Sequence, residues 1–142
     1  MDGYNIRLRL LEKTGSPLQN LLHKLKYAAM TDPDAAIRCA ACLQTITSHR
    51  ERFEIGGASE HFHTNPQGLR FHIICYREAR GCRNMGEPTG LHTWFPGYDW
   101  CYALCGNCHA HLGWYYSAAN GGGFYGLIKD RLLENPAPRA GN

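Results

Sequence analysis

Short runs of apolar and aromatic residues, interrupted by glycine and proline, dominate the chain after residue 36. Runs of this length that are rich in β-branched and aromatic side chains are typical of strands, and Gly and Pro clusters are typical of the turns between them. The pattern predicts strands at residues 44–47, 52–55, 69–76, 92–95, 100–104, 112–116 and 124–128. It also predicts a turn at 86–90 and a last helical turn at 129–134. We therefore expect a mainly β fold built from hairpins.

Residues 1–36 lack this pattern and form a leader that differs from the rest of the chain. Ser16 followed by Pro17 is typical of a helix start, because serine caps the first turn and proline suits the first helical position. Apolar residues then recur at helical spacing, which predicts a short amphipathic helix at 17–30. This helix could dock on the domain or on a second copy, or be loosely attached. Residues 134–142 contain two prolines and no core residue, so we expect a mobile tail.

Length, composition and charge indicate one small globular domain. The 142 residues suit a single domain, and 44% hydrophobic residues are enough for a packed core. The formal net charge is +3 with scattered basic residues, which favours a solvated surface over a nucleic-acid interface. No stretch approaches the roughly 20 apolar residues of a membrane span, and no signal peptide is evident. Seven cysteines is an odd number, which favours a reducing, cytoplasmic location with four cysteines on a metal.

Two C-x-x-C pairs are the strongest chemical signal in the sequence. Cys39 and Cys42 form the first pair, and Cys105 and Cys108 form the second. Each pair can place two thiolates on one ion from a tight turn, and four sulfurs at the corners of a tetrahedron suit Zn²⁺. A redox role is the alternative, but two pairs in one small chain favour a metal. Because four protein ligands leave no open coordination position, we predict one structural zinc per chain that ties two distant hairpins together.

Three cysteines remain outside these pairs. Cys75 and Cys101 lie in apolar strand patterns, where a free cysteine usually packs as a small hydrophobe. Cys82 lies beside Arg80 and Arg83, whose positive charges are expected to lower its pKa.

The aromatic residues are concentrated in one segment. Ten of the 16 aromatics lie between Trp94 and Tyr125, and all three tryptophans are among them. Core packing would explain such a cluster on composition alone. However, Trp94 and Trp100 bracket a Pro-Gly turn and can face each other, and Trp114 is expected on an adjacent strand. Three indole faces that meet near a loop form an open box suited to a flat ring or a cation.

The aromatic segment and the second cysteine pair together resemble a known family. Residues 92–100 (HTWFPGYDW) and 105–116 (CGNCHAHLGWYY) are similar to the signature of the thalidomide-binding domain of cereblon, the CULT domain. Residues 65–68 (NPQG) resemble that family's loop over the pocket, and the first cysteine pair sits at the matching place. The similarity runs from residue 37 to residue 133, most of the chain.

The resemblance implies a β-tent, in which two antiparallel sheets are pinned together near the zinc. It also implies a ligand site formed by Trp94, Trp100, Trp114, Tyr116, His92, Thr93, Asn65 and Pro66. In the family the three tryptophans are the walls of a cage, and the residue at the position of Tyr116, phenylalanine in cereblon itself, is its floor. A cyclic imide hydrogen-bonds the backbone at the positions of His92 and Trp94, and Asn65 covers the mouth. Thr93 stands where serine is common.

The implied function is that of a small-molecule binding module. Its ligand would be a cyclic imide such as a glutarimide, the cyclic imide at the C-terminus of a peptide, or a nucleoside such as uridine. Cereblon's ubiquitin-ligase role needs a Lon-like domain and an adaptor-binding region, which a chain of this length does not hold. We therefore expect a stand-alone, single-domain, prokaryotic form.

Two other classes of function compete with this interpretation. Methionine-sulfoxide reductases of the B type have a similar zinc-pinned β fold, but they place a catalytic cysteine after the second pair. No cysteine follows Cys108 here, so we expect no enzyme activity. A nucleic-acid- or protein-binding module is the other alternative, since an aromatic cage can stack a base. The absence of a dense basic patch counts against nucleic acid.

Overall fold

The computed structural model describes residues 17–22 and 33–134. The chain divides into two compact units, with residues 17–22 in the first and residues 33–134 in the second. Residues 17–22 are helical, as expected for the start of the predicted helix. The remainder of that helix, most of the leader and the tail after residue 134 lie outside the described residues. The domain boundaries therefore stay predictions. Within the described ranges, no helix is long and apolar enough to cross a membrane.

Residues 33–134 contain nine strands and two single 3-10 turns, joined by short loops. The strands are β1 (Ala36–Cys39), β2 (Thr45–Ser48), β3 (Glu60–Thr64), β4 (Arg70–Tyr76), β5 (Cys82–Thr89), β6 (Tyr98–Cys105), β7 (His111–Ala118), β8 (Gly123–Ile128) and β9 (Leu132–Leu133). The 3-10 turns are His49–Glu51 and Lys129–Arg131, the latter within the predicted helical turn.

The strands form two sheets, and every pairing is antiparallel. The small sheet has the order β2-β1-β9, and the large sheet has the order β3-β4-β8-β7-β6-β5. The prediction of a mainly β fold with two antiparallel sheets and a short helix is confirmed.

Two predicted elements are wrong for identifiable reasons. Residues 92–95 form a loop instead of a strand: Thr93 N–H donates to Gly90 C=O at 3.1 Å, and Phe95 turns inward with 6% of its surface exposed. The apolar residues of this loop, Trp94 and Phe95, pack in the core without pairing to a neighbouring strand. Residues 86–89, expected as part of a turn, belong to β5. This edge strand is polar and exposed, so it lacks the apolar alternation by which strands are recognised.

Four further differences concern weak strand signals. Residues 52–55 make only isolated bridges, from Arg52 to Tyr76 and from Ile55 to Ala58. The pattern missed β1, β3 and β9, which are two to five residues long. In β3, histidines occupy alternate positions where apolar residues would reveal a strand.

The second half of β4, inside the large sheet, is buried on both faces. Alternate residues of β4 divide between two core clusters: Ile74 and Tyr76 pack against the small sheet with Ile37, whereas Ile73 and Cys75 pack on the opposite face. The second cluster continues into the aromatic segment and includes Phe95, Tyr116 and Phe124. The three tryptophans therefore pack against a second core cluster, which is separate from the one between the two sheets.

Gly81, in the loop before β5, lies close to β2 of the small sheet. Its N–H donates to Ile46 C=O at 3.0 Å, and its own C=O accepts from Gly106 N–H at 2.8 Å. A Cβ at this position would collide with the Thr45 carbonyl oxygen and the Ile46 backbone. Because these are backbone atoms, they cannot move aside without shifting a strand.

We expect Gly81→Ala to lower the free energy of unfolding by about 1–3 kcal/mol, the usual cost of overpacking. Chemical denaturation would measure this loss as a lower midpoint, with the same dependence of the unfolding free energy on denaturant concentration as in the parent protein. Gly122→Ala is the matched control, because a Cβ there meets only the Asn120 side chain at 3.6 Å. That variant should stay within about 0.5 kcal/mol of the parent protein. Equal midpoints for the two variants would contradict the close approach.

Candidate functional site

Four cysteine thiols converge where the two sheets meet. Cys39 ends β1 and Cys42 lies in the following turn, while Cys105 ends β6 and Cys108 lies in the turn after it. All four Sγ atoms lie within 4.8 Å of one another. The Cys39–Cys108 pair is 3.7 Å apart and the Cys42–Cys105 pair is 3.6 Å apart. Ligands about 2.3 Å from a tetrahedral ion lie about 3.8 Å from each other, so the four thiols could hold one metal ion.

The two cysteine pairs share one backbone geometry. The residue after each second cysteine donates its N–H to the carbonyl of the first: Leu43 to Cys39 at 2.8 Å and His109 to Cys105 at 2.9 Å. Both donors have left-handed backbones, with φ of 69° and 66°. Asn107 N–H also points at Cys105 Sγ, 3.4 Å away. Equivalent turns on two different sheets thus present equivalent pairs of thiols.

Hydrogen bonds favour the thiolate form of one of these groups. The Asn107 side chain and the Gln44 backbone lower the pKa of Cys42 to about 6. Metal ligation by cysteine requires the thiolate, so such donors assist binding at neutral pH. The donor set therefore fits a thiophilic ion.

The cysteines outside the pairs differ from expectation in one respect. Cys82 does not have a lowered pKa: burial raises it to about 12, and the nearby Cys105 and Cys39 thiols add to the rise. The expectation was wrong because Cys82 begins β5 and faces the core instead of the neighbouring arginines. Burial also raises the pKa of Cys75 to about 12 and that of Cys101 by a smaller amount.

The β6–β7 pair builds an aromatic face at the other end of the large sheet. Side chains two residues apart on a strand share a face. The register sets Trp100 opposite Tyr116 and Tyr102 opposite Trp114, so four rings meet on one side of the two strands. Tyr116 is 2% exposed, and the two tryptophans are partly exposed above the core. Trp100 lies five residues before Cys105, about 16 Å along β6, so this face is remote from the thiols.

The loop between β5 and β6 adds the third tryptophan. The Trp94 ring lies 4.9 Å from the Trp114 ring at an interplanar angle of 75°. Trp100 Nε1–H donates to Leu91 C=O at 2.8 Å, which ties the loop to the strand. His92 in the same loop has φ of 59°, an uncommon conformation for a residue with a side chain. Among the described residues, His92 C=O and Trp94 N–H have no hydrogen-bond partner.

A tight turn between β3 and β4 forms one side of the cavity mouth. Asn65 Oδ1 accepts from Leu69 N–H at 2.8 Å, and Asn65 C=O accepts from Gly68 N–H at 2.9 Å. These bonds orient the Asn65 amide, whose NH₂ has no partner among the described residues.

These elements enclose a cavity of about 410 Å³. It is lined by Asn65, Pro66, Gln67, Phe71, His92, Trp94, Trp100, Tyr102, His111, Trp114 and Tyr116. Seven of the eight predicted ligand residues therefore lie together. Thr93 does not line the cavity; its Oγ1 accepts from Phe95 N–H at 3.3 Å and shapes the loop.

Four lining residues were not predicted: Gln67, Phe71, Tyr102 and His111. The alternation of side chains along β6 could have revealed Tyr102, two residues after Trp100. His111 follows the second cysteine pair in the sequence, and no sequence pattern indicated that its ring reaches the cavity. Its Nε2–H donates to Gly113 C=O at 2.9 Å, which leaves Nδ1 facing Arg131 Nη1 at 3.4 Å. Burial lowers its pKa, so the ring is neutral at the wall of the cavity.

The fold and the two sites define a cysteine-cluster β domain with an aromatic cavity, an arrangement that fits a ligand-binding module. The chain is 35% identical to protein cereblon of Danio rerio over 135 residues, covering 90% of this chain and 30% of that protein. It is 31% identical to protein cereblon of Gallus gallus, covering 90% of this chain and 29% of that protein. It is 46% identical to protein cereblon of Drosophila melanogaster over 121 residues, covering 84% of this chain and 18% of that protein.

The similarity to cereblon over 90% of this chain in the two vertebrate relatives confirms the resemblance to the cereblon thalidomide-binding domain. The chain spans about 30% of the length of the vertebrate relatives it matches. No protein-family model matches the chain. The stand-alone, prokaryotic form stays a prediction.

Proposed function

We propose that this domain binds a small ring with an unsubstituted imide, such as a glutarimide, inside the cage of Trp94, Trp100 and Trp114. The observation that carries the proposal is a backbone acceptor and donor, His92 C=O and Trp94 N–H, which belong to residues lining the cavity and have no hydrogen-bond partner within residues 17–22 and 33–134. An imide presents an N–H beside a C=O, which complements this acceptor and donor. The cavity volume of about 410 Å³ is within the usual range for small-ligand sites.

Aromatic walls and polar groups contribute differently to such binding. The indole rings exclude water and supply dispersion contacts, but they discriminate weakly among flat rings. Selectivity comes from a few fixed polar groups. Asn65 adds a third group, because its NH₂ can donate to the second imide carbonyl. A cyclic imide at the end of a peptide offers the same polar atoms as a free ring, and a nucleoside base such as uridine has a comparable N–H and C=O.

We further propose that the four thiols hold Zn²⁺ as a structural ion. Four thiolates at nearly tetrahedral separations match the preference of zinc and leave no coordination position for substrate. The ion would join the β1–β2 hairpin to the β6–β7 hairpin, whose far end carries the cage. Free thiols in this cluster also suit a reducing, cytoplasmic location.

Methylation of the imide nitrogen is expected to weaken binding strongly. The N-methyl ligand cannot donate to His92 C=O, which would then be buried without a partner at a cost of about 1–3 kcal/mol. This corresponds to a loss of roughly 5- to 150-fold before any steric effect. Calorimetry tests this prediction by comparing the affinities of glutarimide and N-methylglutarimide under the same conditions. Equal affinities would mean that stacking alone holds the ring.

We propose that the domain is not an enzyme. The three cysteines outside the cluster have raised pKa values, so none is a ready thiolate nucleophile. No turnover of methionine sulfoxide is expected with a dithiol reductant. Turnover above background that disappears in Cys82→Ser, Cys75→Ser or Cys101→Ser would reject this.

A further inference from the structure

Strand β3 supports the cage from outside. His61 and His63 are two residues apart, and their rings lie on one face of the strand at a centroid distance of 5.9 Å and an angle of 13°. The His63 ring stacks on the Trp94 ring at 5.0 Å and 11°. The three rings form one column, and the Phe95 ring meets both histidines edge-on, at 5.3 and 5.2 Å.

The two histidine rings of the column lie outside the cavity lining. Trp94 lines the cavity and His63 does not. Phe71, directly opposite His63 in the β3–β4 register, also contacts the Trp94 ring, at 5.9 Å. Because Trp94 lies in a loop, these two rings from a paired hairpin supply the support that a strand gives Trp100 and Trp114.

We propose that His63 is a positioning residue for the Trp94 wall, and that it supports the cage only while its ring is neutral. This inference rests on the proposed function, since it concerns the same cavity. His63 Nε2 is buried and has no partner among the described residues. A second proton would put a charge into an apolar column without any acceptor to stabilise it.

The groups around His63 oppose protonation. His61 is the titratable neighbour in the column, and its Nε2–H is committed to Ala58 C=O at 2.9 Å. The loop presents Trp94 and Phe95, and β4 presents Phe71; none of these side chains carries a negative charge or offers a hydrogen-bond acceptor to the His63 ring. Burial first, and His61 second, lower the pKa of His63.

The sign of the pH effect follows from this shift. His63 is neutral at pH 7 and gains a proton only below its ordinary value of 6.5. The protonated ring must reach solvent, which leaves the outer face of Trp94 unsupported. Ligand affinity should therefore be constant at neutral pH and fall as the pH drops below 6.5. The loss is about tenfold for each pKa unit by which the bound ligand lowers the pKa of His63 further.

Three variants test the proposal with glutarimide calorimetry between pH 7.5 and pH 5. His63→Phe keeps a ring on Trp94 and should bind as the parent does at pH 7.5, with no loss at pH 5. His63→Ala removes the support and should bind more weakly at every pH. His72→Gln is the control: it alters a histidine of the same hairpin that bonds Glu60 on the other face, 2.7 Å away, and should leave the pH profile unchanged.

A second measurement needs no ligand. In NMR spectra of the free protein, the His63 ring and the Trp94 indole N–H should shift with one common midpoint below pH 6.5. Independent midpoints would overturn the proposal. So would a pH-dependent loss that persists in His63→Phe, because His111, His92 or release of the metal would then be its cause. Absence of glutarimide binding at every pH would reject the proposed function, while the common midpoint would still support His63 as the support of Trp94.

Discussion

Cys105→Ser is expected to prevent stable folding of the domain. Cys105 is fully buried and is one of four thiols that lie within 4.8 Å of one another where the two sheets meet. Structural zinc supplies about 10–16 kcal/mol in small peptide domains, which is as large as the whole stability of a typical domain at about 5–15 kcal/mol. Serine is a poor ligand for zinc, so the variant should lose most of this contribution.

Metal analysis and circular dichroism check this prediction together. The parent protein should carry one zinc per chain, and removal of the metal by a chelator should abolish its cooperative melting. Cys82→Ser is the matched control, because Cys82 is directly opposite Cys105 in the β5–β6 register but is not one of the four clustered thiols. It should keep its zinc and remain folded. A folded, metal-free parent protein would show that the cluster needs no ion.

Trp114→Ala should have the largest effect on ligand binding. The Trp114 ring contacts the Trp94, Phe71 and His111 rings at centroid distances of 4.9, 5.4 and 5.1 Å, so its loss opens the cage on three sides. A buried aromatic anchor typically contributes at least about 2 kcal/mol to binding, which corresponds to a loss of roughly 30-fold. Alanine at Trp94 or Trp100 should act in the same direction.

Calorimetry with glutarimide measures the effect, and quenching of tryptophan fluorescence provides a second readout. Tyr115→Ala is the matched control: Tyr115 is the next residue on β7, its ring packs on Tyr125, and it does not line the cavity. It should bind with nearly the affinity of the parent protein. Unchanged affinity in a folded Trp114→Ala variant, with its zinc retained, would reject the cage.

Four of the five predicted strands that the structure contains share a physical property; the fifth, β2, is an edge strand of the small sheet. β4, β6, β7 and β8 lie in the interior of the large sheet, where much of their side-chain surface is buried. These strands are therefore rich in apolar residues, and that composition is the signal that predicts a strand. The strands that were missed lie at edges, as β3 and β5 do, or in the small sheet. Edge strands are held by backbone hydrogen bonds to one neighbour and need few apolar side chains. Their formation depends on the strand beside them.

The residue types of the sequence were sufficient to predict the chemistry of the two sites. They were not sufficient to predict every residue that lines the cavity. The spacing of the cysteine pairs was sufficient to predict a four-thiol cluster, because a C-x-x-C turn is a local structure. All three tryptophans line one cavity, and two of them flank one short loop, which is a proximity that the sequence reveals. Phe71, by contrast, reaches the cavity from β4, which is two strands away from β7 in the sheet.

The sequence by itself determined the strand-rich character of the chain, the two C-x-x-C pairs of the thiol cluster and the aromatic composition of the cavity, because each depends on residue type and short-range spacing. Tertiary structure alone decided which backbone groups near Trp94 lack partners, where Thr93 points, and that His63 stacks behind the cage. These features depend on the register between strands and on the path of a loop. Contacts between residues far apart in sequence set both, so no local pattern records them.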